Sequence, residues 1–439
     1  LLSGLGLTGV VDDGSDSFII AGFFPIQNLL ILNTYPSILN FARPAFPAVS
    51  NAASGGAVRT RGDEAMRTNL ARLGYEDLSG QGIKLGVLSD SYNTIGEAAG
   101  DIANGDLPGP GNLYGITEPV QVLREYPFGK RPDEGRAMLQ IAHDIAPGAA
   151  LAFRTGFITA GDFAKGIREL QQAGCDVIVD DITYPTEPFF RDGKVARAIS
   201  EVTAQGASYF TAAGNFGARS FDGIFTPATA PAGFNGSAHD FGGGDRFQRI
   251  SVVPGTYTIV LQWEDDIASL GTTISPVPGA RNDLDIYLTA DQGATRFGFN
   301  RNNIGGDPIE VLTFTATAAT STDLLITRET GSDNVRFKYV IFRGDGLTIN
   351  EYYQAQSAST VVGQANSADA ITVAAVLYSN TPAWEYARPS GADSFTVASF
   401  SSRGGTLTGG SIRNKPDITG PNGANTTVVL GGPDFDLPD

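Results

Sequence analysis

Between residues 57 and 217 the chain alternates helical and strand-like runs, and between about 221 and 343 that alternation stops. In the first stretch, helical periodicity at 61–73, 132–145, 160–173 and 194–205 separates short apolar runs at 84–88, 149–154, 176–179 and 208–212. Strands divided by helices of this length imply crossover connections and a mostly parallel sheet with both faces covered. In the second stretch β-rich runs at 248–253, 256–263, 283–289, 311–316, 323–328 and 337–342 are divided by Gly, Asn and Asp clusters. That pattern predicts an antiparallel sandwich or jelly roll. After Asp345 an apolar run at 370–376 reads again as a buried strand. The expected fold class is therefore α/β, a parallel sheet with helices on both faces and an inserted antiparallel β-sandwich. The expected division is 1–56 as a propeptide-like tail and linker, 57–220 and 346–439 as two parts of one domain, and 221–345 as the insertion.

Composition narrows the function classes. The chain has 55 glycines and 24 prolines in 439 residues, well above the usual background of about 12%. Acids outnumber bases 47 to 30, for a net charge of −17. Such a surface repels phosphate backbones and anionic lipids, so no nucleic-acid partner is expected. There is no run of 18 or more apolar residues, and so no membrane span is expected. A lone cysteine, Cys175, excludes an intrachain disulfide framework and a cysteine-based zinc cluster. The two histidines, His143 and His239, are few for a metalloenzyme. The chain opens at Leu1 without Met and ends in a loop-like stretch, which reads as a fragment or processed piece.

Three motifs stand at strand ends or helix starts. Asp90 follows the apolar run 84–88, on the strand edge where open α/β sheets bind ligands, and a turn-capping role fits that position equally. Glu134 opens the 132–145 helix, where an acid also favours the helix dipole. His143 lies nine residues on, half a turn round the helix at about 100° per residue, so the two cannot serve one site. Asn215, in Ala213-Gly214-Asn215-Phe216-Gly217, ends a small-residue strand in a tight turn. An amide there can donate to a developing oxyanion, or simply tolerate a left-handed turn.

Together these residues resemble the subtilisin-like serine peptidases, the subtilase superfamily. Asp90 matches the aspartate of that family's first motif, and Gly214-Asn215 matches its oxyanion-hole asparagine. Ser399–Gly404 and Lys415-Pro416-Asp417-Ile418 match segments that precede the nucleophile, and Ala146-Pro147-Gly148-Ala149 matches the piece after the catalytic helix. The resemblance implies a secreted endopeptidase acting on polypeptides with no required cofactor. Two departures stand out. Where the family has His-Gly-Thr, this chain has Glu134-Gly135-Arg136. The related sedolisins use a Glu base with an Asp partner on the same fold, though their oxyanion group is an Asp rather than Asn215. A base system of Asp90 and Glu134 sharing a proton predicts an activity optimum on the acid side of neutral. The second departure is the absence of any Gly-Thr-Ser. Truncation before the nucleophile is the expected reason, and this piece alone is expected to hydrolyse nothing.

Softer expectations complete the reading. Asp180 and Asp181 fall where the family shapes its substrate cleft, and a strand-end turn is the plain alternative. Asp434, Asp436 and Asp439 have the carboxylate density of a calcium loop without its glycine and distal glutamate, and a solvated acidic loop is the default. The insertion, whose run Asn282-Asp283-Leu284-Asp285-Ile286-Tyr287-Leu288 resembles sandwich domains accompanying secreted bacterial peptidases, could take a carbohydrate or protein ligand or calcium. The alternative function is an inactive subtilase scaffold serving as a secreted binding or adhesion module.

Overall fold

A computed structural model describes residues 1–12, 20–35, 39, 42, 49–50, 60–75, 78–272, 274–298, 300–331, 334–354, 357–383 and 396–430. The acidic stretch with Asp434, Asp436 and Asp439 lies outside them, as do residues 51–56 of the expected tail and linker.

Seven parallel strands form the central sheet: β1 (Lys84–Ser89), β2 (Gln121–Arg124), β3 (Ala150–Thr155), β4 (Val177–Asp180), β5 (Ser208–Ala212), β6 (Ile371–Leu377) and β7 (Ile418–Asn422). Their order is β7-β6-β5-β4-β1-β3-β2. Chain direction across the sheet reverses at β1, and the crevice beyond the carboxyl end of such a strand is where this class of sheet binds ligands. Alternation along β1 sorts the two faces. Leu88 packs with α5 (Ala160–Gln172) and α6 (Lys194–Ala204), whereas Val87 packs with α3 (Ala98–Asn104) and α4 (Glu134–Ile145). The sheet thus belongs to the α/β class with helices on both faces.

Two local differences from the sequence expectation have physical causes. The run 61–73 forms two helices, α1 (Arg61–Ala65) and α2 (Thr68–Gly74), broken at Arg67, whose φ of 59° is left-handed. The seven-residue α3 and the four-residue edge strand β2 are too short to show a period in sequence.

Between β5 and β6, which are neighbours in the sheet, the chain builds two antiparallel sheets. One comprises Ser220–Ile224, Arg336–Arg343, Gly255–Trp263 and Ile309–Ala316. The other is centred on Thr320–Thr330, flanked by Gln248–Val252 and Asp283–Ala290. A shared core that includes Ile259, Leu261, Trp263, Leu284, Ile286, Leu324, Phe337 and Tyr339 fills the space between them. The opposite face of the first sheet carries Val260, Val340 and Phe342, which pack on Phe189, Phe190 and Phe216 from the loops after β4 and β5. Gln262 adds polar register there, accepting Phe189 N–H at 3.0 Å and donating to the Glu187 carbonyl at 2.9 Å. Among the described residues no helix is long and apolar enough to cross a membrane.

Candidate active site

Asp90 stands one residue past β1, buried, with its carboxylate on the first turn of α4. Its Oδ1 accepts the Glu134 N–H at 2.8 Å and the Gly135 N–H at 3.4 Å. An acid at a helix N-terminus satisfies N–H groups that have no partner within the helix. Burial, and then the charge of Glu134, push Asp90 up to about 6, and the backbone N–H bonds oppose the shift.

The close approach depends on Gly135. A Cβ at that position would lie 2.3 Å from the Phe153 ring and 2.8 Å from the Ser91 carbonyl. Just before it, Asp133 adopts a left-handed φ of 61° and is fully buried. Its carboxylate accepts Ser91 Oγ–H at 2.6 Å, Thr94 N–H at 2.8 Å and Ile95 N–H at 3.0 Å, tying the 91–95 loop to the start of α4. Glu134 is therefore held, buried, beside Asp90. Arg136 turns elsewhere: buried, it pairs with Asp101 and, at 3.0 Å, with Glu97.

The next strand brings a third acid. Asp181, just after β4, meets the Glu134 carboxylate, and burial followed by the charges of Glu134, Asp180 and Asp90 holds it well above the usual carboxylate range. Asp180 differs from its neighbour. Its carboxylate accepts Tyr209 Oη–H at 2.7 Å, Ile182 N–H at 3.0 Å, Thr211 Oγ1–H at 3.1 Å and Gln364 Nε2–H at 3.3 Å. Burial pushes Asp180 up to about 6 against the pull of those donors.

Asn215 follows β5, next in the sheet to β4, so two strand spacings of about 4.8 Å each separate its strand from that of Asp90. Its turn needs Gly214, whose φ is 97°. Ser402 pins that turn, donating its N–H to the Gly214 carbonyl at 2.8 Å and accepting Phe216 N–H at its Oγ, 3.0 Å away. Asn215 is half-buried, and its carbonyl accepts Arg219 Nη2–H at 2.8 Å. Ser401 is likewise buried and accepts Ala375 N–H, so both serines of that segment hold backbone in place. Lys415 and Asp417 lock the start of β7: Lys415 Nζ donates to Ala370 O at 2.6 Å and to Asp417 at 2.7 Å.

Neither histidine joins this group. His143 lies nine residues along α4, about 14 Å at 1.5 Å per residue, and burial lowers its pKa. His239 sits among Phe221, Phe225, Phe241 and Phe337 with its Nδ1 accepting Thr226 N–H, and burial pushes it down to about 4. Sequence reasoning missed Asp133, Ser91 and Thr94, whose only signal is the position of Asp133 directly before Glu134. It also missed the clasp in which Thr427 donates its N–H to Gln140 at 2.9 Å and its Oγ1–H to Asp101 at 2.8 Å. Among the described residues no group of three or more His, Cys, Asp or Glu side chains is arranged to hold a metal ion.

No family model matches the chain, and no curated protein matches it in sequence. Among solved structures, it is similar to the CspB protease of Clostridium perfringens, at 12% identity and a TM-score of 0.40, over 82% of this chain and 79% of that one. The epidermin leader peptide processing serine protease of Staphylococcus aureus aligns at 15% identity and 0.28, over 44% and 52%. MycP1 of Mycobacterium smegmatis aligns at 14% and 0.26, over 40% and 54%. The chain spans about half the length of the latter two. Likenesses this distant carry no argument about activity.

Proposed function

We propose that this chain supplies the base and oxyanion machinery of a subtilase-like serine endopeptidase, with its nucleophilic serine contributed by chain following Asp439. The observation that carries this reading is the contact of the Asp90 carboxylate with the first N–H groups of α4, which couples Asp90 to Glu134. In the reaction, Glu134 takes the proton from the serine Oγ as Oγ attacks the peptide carbonyl. The Asn215 amide donates to the oxyanion, and Glu134 returns the proton to the leaving amine as the peptide bond breaks. Water repeats the sequence on the acyl-enzyme. Asp90, held by helix N–H groups, keeps Glu134 in place and shares its proton inventory. In this reading 57–220 and 346–439 form the peptidase unit, with 221–345 inserted beside the oxyanion turn, and the enzyme works outside the cell.

The test is a pH–rate profile on protein extended past Asp439. Glu134→Gln is expected to lower kcat by about 10²–10⁴-fold, and Asn215→Ala by about 10²–10³-fold. The wild-type optimum is expected on the acid side of neutral. An essential group near pH 7 that persists in Glu134→Gln would sink the proposal. So would failure of a fluorophosphonate probe to label the extended protein.

A further inference from the structure

Asp181 is buried, and among the described residues no N–H or O–H donor reaches either of its carboxylate oxygens. Its hydrogen-bonding contact is with another acid, Glu134. The largest charges acting on it, those of Glu134, Asp180 and Asp90, all come from acids. Asp180 has its own four donors, and Asp90 has the helix N–H groups. Arg136, the nearest guanidinium along α4, is engaged by Asp101 and Glu97. Two carboxylates in buried contact need a proton between them. Position decides which one keeps it. Glu134 is the first residue of α4, where the helix dipole favours negative charge, whereas Asp181 stands at a strand end without a donor.

Resting on the reading of Glu134 as the base, we propose that Asp181 is a positioning residue: a neutral carboxylic acid that donates its O–H to Glu134, fixing that carboxylate with its other oxygen turned to the substrate side. The proton of Asp181 stays in place through turnover. The proton that moves is the serine's, which passes to Glu134 and then to the leaving amine.

Infrared spectroscopy of the chain tests the proton's location without any catalysis. At pH 7 the C=O stretch of a protonated carboxyl is expected in the wild type and expected to be lost in Asp181→Asn. A difference spectrum without loss of an acid band overturns the inference. In protein extended past Asp439, Asp181→Ala is expected to lower kcat about tenfold, as for one lost hydrogen bond to a charged group, with little change in KM. Asp181→Asn keeps a donor to Glu134 and is expected to restore kcat to within about threefold of wild type. Equal losses in the two variants overturn the positioning role, and Asp181→Asn alone decides the spectroscopic arm if Asp181→Ala does not fold. If the acid band is lost as expected while Glu134→Gln leaves the rate unchanged, the base reading fails and the location of the proton stands.

Discussion

Buried carboxylates gather in two places, at the carboxyl edge of the parallel sheet and inside the antiparallel pair of sheets. In the second, Asp285 is fully buried and pushed up to about 7, by burial first and then by Asp283. Beside it Glu310 lies 3.4 Å from Arg301. At the sheet edge, Asp90 accepts the Glu134 and Gly135 N–H groups, while Asp181 meets the Glu134 carboxylate. Burial raises carboxylates in both regions, so a raised pKa alone does not mark a site. What separates the two is topology. One cluster lies at the strand where chain direction reverses and on the first turn of a helix; the other is enclosed between strands and answered by a cation.

Breaking the first cluster should have the largest effect. Gly135→Ala drives a Cβ into the Phe153 ring and the Ser91 carbonyl, and an overpacked site of this kind costs about 1–3 kcal/mol. Denaturant unfolding should show that loss. Asp90→Asn is expected to fail as a rescue, because the displaced element is the backbone of α4.

Linkage sharpens the comparison. A raised folded-state pKa means that the native protein holds its proton longer, so the contribution is complete below the ordinary value of 3.8 and lost as pH rises through the folded value. Asp285→Asn should therefore flatten the stability profile between about pH 4 and 7, and Asp90→Asn between about pH 4 and 6. The wider window predicts the larger gain at pH 7 for Asp285→Asn. Thermal melts across this range check the order; a larger gain from Asp90→Asn would reverse the comparison.

Where the two regions meet, a buried cation tests the comparison with the opposite sign. Lys338 is fully buried between Phe189 and Phe190, its Nζ donates to Ser359 Oγ at 3.1 Å, and burial pushes it down to about 8. Here the unfolded chain keeps its proton longer, so stability should rise from about pH 8 to 10.5. Lys338→Met should remove that rise and relieve the cost of the buried charge at pH 7, offset by the lost hydrogen bond to Ser359. Unfolding curves at pH 7 and 10 read both expectations.

Local pattern made much of this legible. The expected strand at 208–212 is β5 itself, and those at 149–154 and 176–179 lie one residue from β3 and β4, because burial on both faces writes a continuous apolar run into a strand. Asp90 and Glu134 could be picked out because each sits beside such an element. Asp180 and Asp181 could not be told apart, since adjacent residues at a strand end share one sequence context.

Tertiary structure alone decided that one carboxylate is enclosed by four donors while the next meets Glu134, 47 positions away in the chain. It also decided that Val260, Val340 and Phe342 pack on Phe189, Phe190 and Phe216, joining the antiparallel sheets to the loops beside Asn215. The physical reason is range. Periodicity reports which face of an element is buried, whereas the partner on that face is chosen by strand order, and strand order is a property of the whole folded chain.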